Sequence, residues 1–271
     1  MNKIGLISGD GNLPIYIGNS LEKKNIEITF FLLNSIKNKN KYENKKYVNI
    51  KTLSIKKIIN SLNKHNIKNI IFAGSISRPS IKDIGFDFET IKLAKQLLLE
   101  KKGDDSLLNS IKKYLEKRGF SFFNWTKYCP ELFSTEKYLT HIKPSKNALN
   151  NLSKANSVYQ QFRKIDVGQS IVIQNQLVLG LEAIEGTDKL IERCNLYKRK
   201  GDKGIILKFS KKDQSNLIDI PLIGLETIKN IKKYNYEGIF LEKNKCLIIN
   251  KDKVINYANK NKIFISSVEL N

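Results

Sequence analysis

Short apolar runs alternate with amphipathic segments through the first half of the chain. Apolar runs of strand length occur at residues 3–8, 26–33, 69–73 and 120–124. Segments with the apolar spacing of a helix occur at residues 14–24, 54–63, 88–101 and 106–117. The polar stretch 34–49 predicts an exposed loop with one short strand. Because strands that alternate with helices form parallel sheets, this half is predicted to be an α/β domain with a parallel sheet.

The second half mixes hairpin and helix patterns. Two apolar runs, 170–174 and 177–184, are joined by the polar pair Asn175-Gln176, which predicts a hairpin. A second hairpin is predicted near 239–249. The other predicted elements are helices at 145–164, 188–196, after Gly224 and at 251–261, and strands at 204–209 and 263–268. We therefore predict a mixed α/β C-terminal domain at 136–271 after an N-terminal domain at 1–135.

The charge of the chain is strongly basic. There are 48 Lys and Arg residues against 26 Asp and Glu residues, a formal net charge of +22, yet only five of the cations are arginine. Arginine is the residue that binds phosphates and guanine edges through two parallel hydrogen bonds. Lys, Asn and Ile, all with A/T-rich codons, are abundant together, so genome composition explains the excess and no nucleic-acid partner is expected. A basic shell attracted to an anionic membrane is the alternative explanation.

The three cysteines and two histidines indicate no metal or nucleophile chemistry. Cys129, Cys194 and Cys246 lie far apart, without a histidine at metal-ligand spacing, so neither a disulfide framework nor a zinc site is expected. His65 and His141 belong to no triad pattern. No signal-peptide pattern opens the chain, and no apolar stretch approaches the roughly 18 residues of a membrane helix. A cytoplasmic protein with only peripheral membrane contact is predicted.

A glycine corner follows the first predicted strand. Its residues are Gly9, Asp10, Gly11, Asn12 and Leu13, and Pro14 then opens the helix. Backbone N–H groups at such a helix start can bind a phosphate. The alternative is a tight turn that needs glycine only for its backbone angles. Proline replaces the third glycine of a dinucleotide motif and no carboxylate ends the second strand, so a nicotinamide- or sugar-nucleotide-dependent oxidoreductase is the less favoured function.

A second glycine corner follows the third buried strand. Gly74 and Ser75 directly follow this strand, and Arg78 comes shortly after. Ligands bind at the carboxyl edge of open parallel sheets, so both corners are expected at one binding edge. Arg78 can clamp a phosphate oxygen there, although a surface ion pair explains it equally well.

A few acidic residues stand outside the solvated lysine–acid pairs of the helices. Glu182 and Asp188 lie near the end of the first predicted hairpin, and Asp219 lies in an apolar run before Pro221. An acid in an apolar run requires a hydrogen-bond donor, a cation or a metal, because burying an unpaired carboxylate is costly. Ligands that are all oxygen suit Mg²⁺ or Mn²⁺.

Helix capping is the structural alternative for several polar residues. Asp104 or Asp105 can cap the helix predicted near Ser106, and Thr187 or Asp188 can cap the helix that follows them. Capping does not exclude ligand contact. Asp219 has no helix to cap, which favours a functional role for it.

Taken in order, these motifs resemble one family, the two-domain UDP-2,3-diacylglucosamine pyrophosphatases of lipid A biosynthesis in some Gram-negative bacteria. The resemblance runs nearly end to end, through GLISGDGNLP from Gly5, AGSISRP from Ala73, GDDSL from Gly103, DVGQ from Asp166, EAIEGTD from Glu182, Lys208, and DIPLIG from Asp219. The family usually has glycine in place of Asp10, and an Asp and an Arg in place of Ser215 and Leu217.

The resemblance implies a Rossmann-like parallel-sheet N-terminal domain joined to a mixed α/β domain for catalysis and lipid binding. The reaction would be metal-dependent hydrolysis of the pyrophosphate bond of UDP-2,3-diacylglucosamine, giving UMP and 2,3-diacylglucosamine 1-phosphate (lipid X). The implied partners are this substrate, the cytoplasmic face of the inner membrane through peripheral contact, and a second copy of the chain in a homodimer.

The resemblance also implies residue roles. Asp219 would bind the divalent metal, Mg²⁺ or Mn²⁺, or activate water, with Glu182 and Asp188 as further metal ligands. Lys208 would offset the developing charge. The residues expected to bind substrate are Gly9, Asp10, Gly11, Asn12, Leu13, Gly74, Ser75, Arg78, Asp104, Asp105, Gln169 and Thr187.

Overall fold

The computed structural model describes residues 3–33, 36, 38–51, 54–75, 104–162, 167–211 and 220–270, and the side chains within these ranges except those of 104–108. The described residues form two compact units, the first ending at Pro130 and the second beginning at Glu131. The domain boundary placed after residue 135 stays a prediction.

The first unit is built on a five-stranded parallel sheet. Its strands are β1 (Lys3–Ser8), β2 (Glu27–Leu33), β3 (Tyr47–Ile50), β4 (Asn69–Ala73) and β5 (Ser121–Phe122). Its described helices are α1 (Leu13–Glu22), α2 (Ile55–Lys64) and α3 (Asp104–Glu116). The strand order is β3-β2-β1-β4-β5, and every neighbouring pair is parallel. This order confirms the predicted Rossmann-like arrangement.

Apolar sequence explains the position of β1 at the centre of this sheet. Five of its six residues are buried, and β2 and β4 pair with its two edges. A strand covered on both faces needs such a continuous apolar run. The predicted short strand within 34–49 is confirmed as β3. The helix predicted at 88–101 lies outside the described residues.

The second unit contains a mixed five-stranded sheet and four helices among its described residues. The strands are β6 (Ser170–Gln174), β7 (Leu177–Leu181), β8 (Ile205–Lys208), β9 (Leu222–Ile223), β10 (Gly238–Glu242), β11 (Leu247–Ile248) and β12 (Phe264–Val268). The helices are α4 (Lys146–Phe162), α5 (Thr187–Asn195), α6 (Leu225–Lys233) and α7 (Lys251–Lys260). The main sheet has the order β12-β10-β8-β6-β7. Strands β8, β10 and β12 run parallel to one another, and β6 is antiparallel to both of its neighbours, β8 and β7.

Alternating side chains of the main sheet supply two hydrophobic cores. Ile171 and Ile173 of β6 pack with α4 on one face. Val172, between them, packs with α5, α6 and α7 on the other. This alternation follows from the two-residue period of a strand. The predicted hairpin of β6 and β7 is confirmed, and Asn175 and Gln176 have φ of 51° and 58°, as a tight hairpin turn requires.

The second predicted hairpin, near 239–249, is wrong. β10 pairs in parallel with β8 and β12, whereas β11 pairs in parallel with β9 in a separate small sheet. All five residues of β10 are buried, so it is a central strand with partners on both sides. Asn244, with φ of 61°, turns the chain out of the sheet. A polar turn between two apolar runs is common to a hairpin and to such an exit, which explains the error.

Helix length and polarity also bear on membrane insertion. The longest described helix, α4, has 17 residues and carries Lys146 and Lys154. Within the described ranges, none of the helices combines the length and the apolar character needed to cross a bilayer.

Candidate functional site

The two predicted glycine corners of the first unit lie against each other. The N–H of Gly9 donates to the carbonyl of Ala73 at 2.8 Å. Asp10 and Ser75 exchange two backbone hydrogen bonds, at 2.7 and 2.9 Å. The corners follow β1 and β4, the adjacent strands at which the strand order changes direction. They therefore occupy the edge of the sheet where open α/β folds bind ligands.

Steric demand explains the glycines of this contact. A Cβ on Gly9 would lie 2.4 Å from the carbonyl oxygen of Ser75, and one on Gly74, whose φ is 89°, would lie 2.6 Å from that of Asp10. Gly11 also has a positive φ, of 92°, but faces open space. The tight-turn explanation therefore accounts for Gly9 and Gly74. Gly11, Asn12 and Leu13 remain candidates for phosphate contact, because they lie at the start of α1, where N–H groups point out of the helix.

Lys41 is a candidate that the sequence analysis missed. Its ammonium donates a hydrogen bond to the carbonyl of Gly11. Burial lowers the pKa of Lys41, and the nearby Asp10 charge opposes this shift. No feature of the sequence distinguishes Lys41 from the other lysines of the polar stretch 34–49, so only the fold reveals its position.

In the second unit, Lys208 lies at the end of β8 and is only 3% exposed. Its Nζ donates to Thr187 Oγ1 at 2.6 Å and to Ser170 Oγ at 3.2 Å. It also lies 3.5 Å from Glu182 Oε2 in a buried ion pair. We call Lys208, Ser170, Glu182 and Thr187 the Lys208 cluster. It joins Lys208, Glu182 and Thr187, which were predicted from sequence, to Ser170, which was not.

Glu182 is the acceptor at the centre of the Lys208 cluster. Its Oε2 accepts from the Thr187 hydroxyl at 3.1 Å and from the backbone N–H of Gln169 at 3.3 Å. Gly168 makes this approach feasible, because a Cβ there would lie 2.3 Å from the Cβ of Glu182. The predicted substrate residue Gln169 thus touches the cluster through its backbone.

The prediction that Thr187 or Asp188 caps the following helix is wrong. The N-cap of α5 is Gly186, with φ of 79°, and no side chain caps it. Thr187 is instead the first helical residue, and its hydroxyl bonds to Lys208 and Glu182. A buried ammonium and carboxylate form stronger hydrogen bonds than a backbone N–H does, which explains this orientation.

Asp188 has a carboxylate oxygen that fits a cation. Its Oδ1 is buried and has no hydrogen-bond partner among the described residues. A buried carboxylate oxygen without a donor is costly unless a positive charge approaches it. Within the described residues, no group of three His, Cys, Asp or Glu side chains is placed to bind a metal ion.

The side-chain positions of four predicted site residues are not described by the structure. Asp219 and Arg78 lie outside the described residues. Asp104 and Asp105 form the first turn of α3, which begins at Asp104, and their side chains are not described.

Glu242 is a buried acid that the sequence analysis did not single out. Its Oε2 accepts from the N–H and the hydroxyl of Ser210, at 2.7 and 2.8 Å. Its Oε1 accepts from Lys245 at 2.6 Å and Tyr159 at 3.3 Å. With four donors this carboxylate is satisfied, and it fixes the backbone two residues after Lys208.

Comparison with known proteins agrees with the two units. Residues 3–132 match the family model described as LpxI N-terminal domain, and residues 135–266 match LpxI C-terminal domain. A curated relative from Caulobacter vibrioides, named UDP-2,3-diacylglucosamine pyrophosphatase LpxI, is 26% identical over 276 residues, covering 99% of this chain and 98% of the relative.

Proposed function

Since the chain belongs to the LpxI family, we propose that it is a hydrolase of lipid A biosynthesis that cleaves the pyrophosphate bond of UDP-2,3-diacylglucosamine. The products are UMP and 2,3-diacylglucosamine 1-phosphate. The Caulobacter relative, which is named for this substrate and aligns over nearly the whole of both chains, supports the proposal.

The buried ammonium of Lys208 is the observation that carries the chemistry. Hydrolysis of a diphosphate is opposed by its negative charge, and fixed positive charges lower this barrier. Hydrogen bonds from Lys208 to Thr187 and Ser170 fix the ammonium in one position. A preorganised cation with little exposure to water is suited to stabilising charge on a phosphate oxygen.

In this proposal the glycine corners bind the nucleotide. Gly11, Asn12 and Leu13 present the start of α1 to a phosphate, while Gly9, Asp10, Gly74 and Ser75 shape the corner. Lys41 adds a cation beside Gly11. Arg78, Asp104 and Asp105 stay predicted substrate contacts. No observation on the described residues favours the oxidoreductase alternative.

We further propose that hydrolysis requires a divalent cation, Mg²⁺ or Mn²⁺, with the carboxylate of Asp188 as one ligand. The unpartnered Oδ1 of Asp188 supports this assignment. The metal role of Asp219 stays a prediction from the family resemblance. Once bound, such an ion neutralises phosphate oxygens and lowers the pKa of a coordinated water. The resemblance implies Glu182 as a further metal ligand. We propose instead that Glu182 orients the ammonium of Lys208, because its Oε2 pairs with that ammonium.

The proposed location is the cytoplasmic face of the inner membrane, through peripheral contact, because the substrate carries two acyl chains. A homodimer also stays a prediction. No nucleic-acid partner is part of this proposal.

The function is tested by incubating the purified chain with UDP-2,3-diacylglucosamine in detergent, with Mg²⁺, with Mn²⁺ or with EDTA. We expect equimolar UMP and diacylglucosamine 1-phosphate with either metal, and loss of both with EDTA. Release of UMP at equal rates from a UDP-sugar without acyl chains would contradict the proposed substrate specificity. Full activity in EDTA would contradict the proposed metal requirement.

A further inference from the structure

Large apolar side chains are exposed at both ends of α5. Ile184, just before the helix, is 86% exposed, and Leu196 and Tyr197, just after it, are 77% and 57% exposed. These are the most exposed large hydrophobic residues in the described part of the chain. Their grouping around one short helix distinguishes them from the scattered apolar residues of an ordinary surface.

Two cations of α5 share a helix face with Leu196. Lys189, Arg193 and Leu196 follow one another at spacings of four and three residues, which places them on one helix face, and all three are exposed. We call Lys189, Arg193, Leu196 and the adjoining Tyr197 the α5 face. Lys189 and Arg193 pair with Glu192 and Glu185, each at 2.6 Å, and such exposed pairs remain open to other anions.

Further cations follow in the loop after α5. Arg199, Lys200 and Lys203 are exposed, and none of them forms an ion pair with a described acid. The acid nearest in sequence, Asp202, turns its carboxylate inward, accepting from the N–H groups of Gly204 at 2.7 Å and Asn175 at 3.0 Å. The loop therefore presents its positive charges outward.

This loop is held in shape by the β6–β7 hairpin. The Gln174 side chain donates to the carbonyls of Arg199 and Asp202, at 2.9 and 2.7 Å, and accepts from the N–H of Arg199 at 2.8 Å. Asn175 donates to the carbonyl of Lys200 at 3.1 Å. The exposed Leu196 and Tyr197 are thus followed by a preformed loop.

We propose that the α5 face and the cations of the following loop dock onto the surface of an anionic lipid bilayer. Leucine and tyrosine partition into the interface between headgroups and acyl chains, and lysine and arginine bind the anionic headgroups. The first residue of α5, Thr187, bonds to Lys208. The same helix therefore links the docking surface to the Lys208 cluster, and only this link rests on the proposed function.

The charge of this surface favours an anionic bilayer over a second copy of the chain or a nucleic-acid duplex. Two copies of the chain meeting through this surface would bring like charges together, which is unfavourable. A nucleic-acid duplex would neutralise the cations but would leave Leu196 and Tyr197 in water. An anionic bilayer accommodates both kinds of side chain at once.

The test is co-sedimentation of the full chain with substrate-free vesicles of phosphatidylcholine, with and without phosphatidylglycerol. Wild type should bind the anionic vesicles and bind neutral ones far more weakly. Leu196→Ser/Tyr197→Ser should lower the partition coefficient by about tenfold. Arg199→Gln/Lys200→Gln should lower it by about 25-fold, from about fivefold for each cation. The matched control is Leu149→Ser/Lys154→Gln, which alters an exposed leucine and an exposed lysine of α4 and should bind like wild type.

Equal loss of binding in the control, or equal binding to neutral and anionic vesicles, would overturn the proposal. So would a fall in the molar mass of the free protein caused by Leu196→Ser/Tyr197→Ser, because the face would then join two copies. All variants should keep the wild-type melting temperature and hydrolyse detergent-dispersed substrate normally. Vesicle binding by a chain without hydrolase activity would sink the proposed function and leave this inference standing.

Discussion

Thr187 lies between the ammonium of Lys208 and the carboxylate of Glu182 and bonds to both. Replacing it with valine keeps the shape of the side chain but leaves a buried ammonium with one acceptor fewer. We expect Thr187→Val to lose about 1–3 kcal/mol of stability and to lower kcat by about tenfold or more, because the ammonium is less well placed. Thr187→Ser, which restores the hydroxyl, should recover most of the rate in steady-state assays. Wild-type kcat in Thr187→Val would remove the hydroxyl from the account.

Asp219 is predicted, from the family resemblance, to bind the metal or to activate water. Asp219→Ala should abolish turnover while substrate binding remains, since the metal or the activated water is lost but the other contacts are not. Equilibrium binding of the substrate and UMP release measure the two effects separately. Asp252→Ala, at an exposed acid of α7, is the matched control and should be fully active. An active Asp219→Ala variant would exclude this residue from the mechanism.

Much of the Lys208 cluster was predictable because its members lie in recognisable motifs. The sequence predicts a substrate contact or a capping role for Thr187, and only the fold shows that its hydroxyl bonds to Lys208. Ser170 and Lys41 were missed for a physical reason. A serine at a strand start and a lysine among many lysines acquire a role only from neighbours distant in sequence.

At the scale of elements, the contact between the corners after β1 and β4 depends on glycine. Gly9→Ala would force a Cβ to within 2.4 Å of the Ser75 carbonyl, so the two corners must separate. We expect a rise in KM and a loss of stability larger than that of Gly119→Ala. Gly119 is the suitable control, because its φ is 81° but a Cβ there meets nothing, so it costs about 1 kcal/mol. Equal melting temperatures and equal KM values for the two variants would contradict the role of this contact.

Periodicity predicted most elements correctly, and its failure is instructive. The β6–β7 hairpin was predictable because a two-residue turn admits few pairings. β10 and β11 are also joined by a short polar turn, yet they join different sheets. Which strands pair depends on how each strand is buried on its two faces. For β10 and β11 this burial depends on strands β8, β9 and β12, which the local sequence pattern does not include.

At the scale of the whole molecule, buried thiols predict a limit to alkaline stability. Burial raises the pKa of Cys194 to about 11 and that of Cys246 to about 12, from 9.0. Above pH 9 the unfolded chain therefore loses thiol protons that the folded chain keeps, so the free energy of unfolding falls as pH rises towards 11 and 12. Urea unfolding between pH 8 and pH 11 should show this fall, with a smaller slope in Cys194→Ala. A flat profile would contradict it.

The excess of positive charge alone predicts neither the fold nor a membrane-binding surface. The net charge of +22 is a property of composition, and composition does not reveal which cations share a surface with exposed apolar residues. The fold does so at α5.

The central claim is that the buried ammonium of Lys208 lowers the barrier to pyrophosphate hydrolysis, and UMP release by Lys208→Met tests it most directly. Because that change leaves Glu182 buried without its partner, Lys208→Met/Glu182→Gln is measured beside it, with Lys154→Met of α4 as control. We predict that both Lys208 variants lose about 100-fold or more in kcat, that the double variant keeps the wild-type melting temperature, and that Lys154→Met is unaffected. A double variant that is folded and turns over at the wild-type rate would contradict the account.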